Sequence, residues 1–447
     1  MEPSAVPFVL GALLLTVIVA TGWFLRFAYW VEGDTLIVEG GLVGRWRRVI
    51  PLPRIQSVDF VEKLRHRVFG VVELRIEAAG GRQTEAALVA VTPGEAENLR
   101  ARLLARGGAP PAPHVETPVL ASLGPGLLAL AGITGGRVAV IAVILGYAQD
   151  LASDRFLVSL FERLGRAGSS GVLLLLAAIA AFLVLSLAVS IVATIVVYWD
   201  FTLRRERDRL VVSRGLLEKR RAAVPLSRLQ AIVLEQNLVR LAFGLASLRA
   251  ITAGFSGRSE EEKETSVLLP IADQERALAV VAELFGDPAA RLFSRLERPP
   301  VRALVRRLIW WSAPAVAIGL ATSLVWGPLG ALVFVLVPIA WLLAVASWVA
   351  LGHVIDDGLG VARSGVLVRR TTFTPLRNLQ HLSLAALPDQ RLLDLGSLRL
   401  EVPGASTPLR DLARARAEER FALLSESMAG RASHSDGGSG RWGGRGK

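Results

Sequence analysis

Residues 215–230 read GLLEKRRAAVPLSRLQ, and the frame of that stretch returns twice more in the chain. The copies run through Gly41, Arg45, Pro51 and Gln56, through Gly215, Lys219, Pro225 and Gln230, and through Gly365, Arg369, Pro375 and Gln380. Gly and Pro are ten positions apart in every copy, and Pro and Gln five. Such fixed internal spacing marks one small domain repeated. Each copy follows an apolar run of membrane length, so the chain reads as three similar domains, each delivered to a membrane surface.

The composition agrees. The 447 residues are 52% hydrophobic yet carry a net charge of +12, and the mean hydropathy is +0.47. Apolar spans alternating with basic soluble modules give that mixture, because cytoplasmic flanks of spans collect Lys and Arg. There is no cysteine, which excludes disulfides, thiolate catalysis and Cys-based metal sites. The five His (66, 114, 353, 381, 434) show no ligand spacing, so neither a metal nor a cofactor is expected. No GxxxxGK[ST] loop, nucleophile elbow or HExxH occurs, and basic segments do not interleave with aromatics as in nucleic-acid grooves.

Five apolar segments, near 6–25, 123–147, 171–198, 309–326 and 329–350, have the roughly 20 residues a bilayer needs. Only Glu2 precedes the first, without a basic leader, so it reads as a retained transmembrane helix. Gly327-Pro328 makes the last two a helical hairpin. Eight of the ten Trp lie in or beside these runs, where indole favours the headgroup level. Arg26, Arg204, Arg205, Arg207, Arg302, Arg306 and Arg307 all flank the repeat-bearing side. The expected topology is a multi-pass protein of the cell membrane, with cytoplasmic repeats and the N-terminus outside. The amphipathic stretch 151–164 would lie along the outer interface.

The domain boundaries follow: helix 1 in 1–26, domain 1 in 27–105, a linker in 106–118, helices 2 and 3 in 119–198, domain 2 in 199–286, the hairpin in 287–351, domain 3 in 352–425, and a disordered tail in 426–447. Each repeat reads as strands followed by one helix. In the first, 71–77 and 85–91 form a hairpin, and Thr92 with Glu95 forms a capping box. Asp273 caps the second helix, and the third runs from Asp411 to Leu424.

The frame GL-x(8)-PL-x-R-[IL]-Q, followed by R-x-F-G-[VL]-x-x-L-R, resembles the bacterial pleckstrin-homology domain of the second type (bPH2). Arg67, Phe69, Gly70, Leu74 and Arg75 carry the second half in repeat one. Phe243, Gly244, Leu248 and Arg249 carry it in repeat two. In repeat three Gly396, Leu398 and Arg399 sit two residues further from their Gln. The whole is similar to the YdbT-like membrane proteins. The resemblance implies three small β-barrel or sandwich domains, each closed by a C-terminal helix, on five transmembrane helices. It implies no enzymatic chemistry, and it implies a small membrane partner bearing a single such domain.

Candidate sites follow from the repeats. Arg45-Trp46-Arg47-Arg48, Lys219-Arg220-Arg221 and Arg369-Arg370 occupy one register, as an anionic-headgroup or partner clamp or as a solvated strand face. Gln56, Gln230 and Gln380 are read as satisfying strand-end backbone groups. Thr134 and Arg137 form a polar break in the second span, with a transport role as the functional reading. His353, Asp356 and Asp357 are read as strand-entry and turn residues, and Glu260–Glu264 as an exposed hairpin tip. The expected function is an integral membrane scaffold or regulator whose domains bind membrane lipid, each other or a partner protein, with self-association possible. A transporter or sensor built on Arg137 is the alternative.

Overall fold

The computed structural model describes residues 5–42, 44–78, 86–104, 118–135, 154–206, 208–252, 266–356 and 358–436. They form two compact units that part between Leu226 and Ser227, with the end of the fourth helix from Ile133 counted in the second. The division runs through the middle of the second repeat.

In the first unit, helix α1 (Ala5–Leu25) leads into β1 (Ala28–Glu32), β2 (Thr35–Gly40) and β3 (Trp46–Pro51), an antiparallel meander. A 3-10 turn at Leu52–Arg54 separates it from β4 (Ile55–Lys63), α2 (Leu64–Val68), β5 (Val72–Ala78), β6 (Ala86–Val91) and α3 (Pro93–Leu104). Leu36, Val38, Ile50, Val58, Leu74 and Leu88 share one core with Ala96 and Leu103 of α3. Thr92 Oγ1 accepts the Glu95 N–H at 3.4 Å, as a cap should. Glu95, expected to complete the box, instead accepts a hydrogen bond from Tyr29 on β1 at 2.9 Å. The unit continues through β7 (Val119–Ser122), α4 (Pro125–Thr134), α5 (Asp154–Tyr198), β8 (Thr202–Glu206), β9 (Arg209–Arg214) and β10 (Glu218–Pro225).

The second unit begins with β11 (Leu229–Asn237), α6 (Leu238–Ala242), β12 (Leu245–Thr252), β13 (Val267–Asp273), α7 (Gln274–Phe285) and α8 (Pro288–Ser294). Next come α9 (Val301–Trp326) and α10 (Leu336–Val349), separated by a 3-10 segment, Gly327–Val335. The last repeat holds β14 (Gly352–Asp356), β15 (Leu359–Ser364), β16 (Val368–Pro375), β17 (His381–Ala385), α11 (Pro388–Leu392), β18 (Leu395–Val402), β19 (Ala405–Ala413) and α12 (Arg414–Asp436). Its core joins Leu398, Leu400, Leu409 and Leu412 to Ala417 and Leu424 of α12.

The expected closed barrels are absent from the described residues. The six strands of each repeat stay in two sheets of three, and four of the six resulting sheets join in pairs across neighbouring repeats. One seven-stranded sheet has the order β6-β5-β4-β10-β9-β8-β7, and one six-stranded sheet the order β13-β12-β11-β16-β15-β14. The unpaired N–H and C=O groups of a strand edge need partners. At β4, β10, β11 and β16 another repeat's edge supplies them, in place of closure within the repeat.

The span count is also corrected. Among the described residues two stretches, rather than five, are long and apolar enough to cross a membrane: Gly171–Tyr198 and Val301–Val349. Helix α1 runs over Ala5–Leu25 with Leu14–Leu25 as a shorter apolar part, α4 is short at Pro125–Thr134, and residues 136–147 of the second expected span lie outside the described residues. The stretch Val301–Val349 folds back on itself. Thr322 Oγ1 donates to the Gly330 carbonyl at 2.9 Å, Arg307 donates to Ser347 at 3.0 Å, and Gly319 leaves room for the Phe334 ring. From Asp154 the expected interfacial stretch is continuous with α5, a single helix of 45 residues. At the C-terminus α12 continues to Asp436, beyond the expected domain end at 425.

Candidate functional site

The repeat frame is a backbone device. Gly41, Gly215 and Gly365 have φ of +103°, +113° and +102°. A Cβ on them would lie 1.9, 1.9 and 2.0 Å from the carbonyl oxygens of Gly44, Glu218 and Val368. Only glycine fits such a turn. Pro51, Pro225 and Pro375 end their strands, and the next residue closes the same bond each time: Leu52 N–H to Asp34 at 2.9 Å, Leu226 to Asp208 at 2.7 Å, Leu376 to Gly358 at 2.8 Å. Gln56 and Gln230 sit where the pairing of β4 and β11 slips by one residue, a bulge. The Gln230 side chain donates to the Arg228 carbonyl at 3.3 Å, while the Gln380 backbone N–H donates to Glu401 at 2.9 Å.

The second half of the frame is corrected in repeat three. Gly70 and Gly244 are left-handed, with φ of +64° and +66°, and the matching residue is Asp394 at +54°. It stands at the same distance from Gln380 as Gly70 from Gln56, so the extra two residues inferred from Gly396 do not exist. Asp tolerates this conformation better than most side chains. Gly396 lies inside β18, where a Cβ would come within 3.3 Å of Ala417 on α12.

Apart from Arg45, which directly precedes β3, the basic clusters lie on β3, β10 and β16, and two of these strands form seams between repeats. On the first seam Glu218 faces Lys63 and Lys219 faces Glu62. Arg220 binds Glu218 and Arg221 binds Glu206, each at 2.9 Å. Across the second seam Arg370 binds Glu235 at 2.9 Å. Among the described residues the first cluster borders no seam: β3 ends its sheet. There Arg47 lies 3.3 Å from Glu39 and over Trp30, and Arg48 over Trp46.

Arg369 differs from its neighbours. It lines a groove of about 650 Å³ whose other walls are apolar: Leu238 and Leu241 of α6, and Trp341, Leu342 and Val345 of α10. Its Nε is buried without a hydrogen-bond partner. Burial lowers the affinity of its guanidinium for the proton, since desolvation penalises the charged form. An anion at this point would restore what burial removes.

A second charge cluster was not legible as a site. Asp411, expected to open the last helix, lies in β19 at 1% exposure. Its carboxylate takes Arg306 and Arg307, each at 3.1 Å, and Gln390 at 2.8 Å. Asp389 accepts from Arg306 at 2.6 Å and from Trp310 at 2.7 Å. Burial pushes the Asp389 carboxyl up, but those bonds outweigh it and hold it below the usual carboxylate range. The two arginines counted in the sequence as topological charges therefore clamp α9 to the third repeat. The one hint was an acid pair, Asp389 and Asp411, in a repeat entered by consecutive arginines.

Thr134 is buried; its hydroxyl accepts from Arg240 Nε at 3.2 Å and its carbonyl from Asn237. Arg137, Asp357 and Glu260–Glu264 lie outside the described residues. His353 and Asp356 lie in β14, where His353 exchanges backbone hydrogen bonds with Glu297 at 3.0 Å.

Three segments of the chain, residues 4–107, 128–286 and 313–428, match the family described as a bacterial PH domain, bPH_2. The chain is 28% identical over 334 residues, 70% of its length, to the UPF0699 transmembrane protein YdbT of Bacillus subtilis (strain 168), and the match covers 67% of that relative. No solved structure matches it.

Proposed function

The chain belongs to the bacterial PH-domain family, and from that premise we propose that it is a membrane-anchored scaffold whose repeats brace one another and hold an anionic phospholipid. The observation that carries this reading is Arg369, a half-buried cation whose Nε is buried and unpartnered in an otherwise apolar groove along α10. Helix α10 lies within a candidate membrane span. An acyl chain fits the apolar walls, and a phosphate satisfies the guanidinium. The basic residues of β10 and Arg370 of β16 act within the scaffold, while the exposed basic residues of β3 offer a second contact for a headgroup or a partner protein. Arg302, Arg306 and Arg307 at the start of α9 favour a cytoplasmic position for the repeats. The role is binding; no catalytic constellation accompanies it among the described residues.

The full chain, purified in detergent and exchanged into nanodiscs of phosphatidylcholine with or without phosphatidylglycerol, tests this by lipid retention in native mass spectrometry. A basic residue at the surface contributes about 1 kcal/mol, so Arg369→Gln should lower phosphatidylglycerol retention about fivefold. Equal retention by both proteins would remove the groove from the reading.

A further inference from the structure

The two seams share one register. Arg220 stands five residues after its turn glycine and faces Val61, five residues after Gln56. Arg370 stands five after Gly365 and faces Glu235, five after Gln230. In each seam, therefore, the third strand of one repeat takes the fourth strand of the preceding repeat, antiparallel and at the same offset. The series leaves two ends. Among the described residues, of the equivalent strands β3, β10 and β16, only β3 lacks a partner on its outer edge, and of β4, β11 and β17, only β17 does.

We propose that β17 of one copy of this chain pairs with β3 of a second copy, repeating the internal seam between molecules. The shared offset sets Trp46 opposite Ala385, Arg47 opposite Leu384, Arg48 opposite Ser383 and Val49 opposite Leu382. Exposure fits: Trp46 is 39% exposed, Val49 54% and Leu384 36%. Charge fits as well, since residues 381–387 (HLSLAAL) carry no Lys or Arg to oppose Arg45, Arg47 and Arg48. The Glu–Arg pair of the second seam has no counterpart at Ala385. The contact is accordingly weaker than the internal ones, and confinement of both copies to one membrane offsets this by raising their effective concentration. The interface is heterologous, so each added copy again leaves one edge of each kind.

The chain has no native cysteine, which makes the test direct. Two differently tagged copies are co-expressed in membranes, one bearing a single cysteine in β3 and the other a single cysteine in β17. Each copy holds one thiol, so any heterodimeric disulfide is intermolecular. Directly opposed residues in antiparallel strands are about 4.5 or 5.5 Å apart in alternation, both within disulfide reach. Arg47→Cys with Leu384→Cys, or Trp46→Cys with Ala385→Cys, should crosslink on mild oxidation, while the off-register set Arg47→Cys with Leu382→Cys should not. Adding Leu384→Arg to the copy with Ala385→Cys places like charge opposite Arg47 and should abolish the Trp46→Cys crosslink. These positions are at least partly exposed, and accumulation of each copy is checked by its tag. Equal crosslinking off register, no crosslink in either set, or a crosslink of β3 to a different protein alone would overturn the proposal.

Discussion

Glu235 on β11 accepts a hydrogen bond from Arg370 on β16 at 2.9 Å, and these two residues face each other in the pairing that joins the second repeat to the third. Arg370 is 61% exposed at its side chain, so screening limits the pair. Glu235→Ala should cost only about 0.2–1 kcal/mol. Glu235→Lys, which sets like charges opposite each other, should cost more than Glu235→Ala. Thermal unfolding of the purified chain separates the two, and equal melting points would deny the seam its electrostatic component.

Asp411 should be far more sensitive. It is almost wholly buried and receives two guanidinium groups and an amide. Breaking a buried pair from one side costs about 3–5 kcal/mol, because the remaining charge is left uncompensated. Asp411→Ala should therefore expose the third repeat to limited proteolysis, and Asp411→Asn, which keeps the shape, should do so less. Resistance equal to the parent chain would show that Arg306 and Arg307 find other partners.

The turn positions predict a contrast between two residue types. Gly215→Ala places a methyl within 1.9 Å of the Glu218 oxygen at a φ of +113°, and left-handed strain alone costs about 1–3 kcal/mol. Asp394→Gly should be nearly neutral, since it relaxes the backbone while losing only the exposed pair with Arg302. Melting temperatures of the two variants check this. A greater loss at Asp394 than at Gly215 would contradict the geometry.

Tyr29 carries a pH dependence. Burial, then its hydrogen bond to Glu95 and the nearby carboxylate charge, raise its phenol to about 12. A folded pKa above the unfolded value of about 10 stabilises the native state fully below pH 10, and that stability fades as pH rises through about 12. Absorbance titration should show one late-ionising tyrosine, which Glu95→Gln moves earlier. An unchanged titration would mean that the bond does not hold the phenol.

Much of the site was legible where local stereochemistry rules. The repeats, their Gly turns and their strand-ending prolines could be read because φ preferences act within a few residues of chain. Repeat three was misread at Gly396 for the same reason: the left-handed position is a backbone property, and Asp394 meets it without a glycine to mark it.

By itself, then, the sequence determined three copies of one domain, the apolar runs between them and the register of their basic clusters. Only the tertiary structure decided that β10 takes β4 and β16 takes β11, that Asp411 clamps α9, and that Arg369 lines a groove. The reason is physical. Strand edges pair through N–H and C=O groups that every residue carries, so no side-chain pattern announces which edges meet. Burial of a charge likewise depends on neighbours far away in the chain.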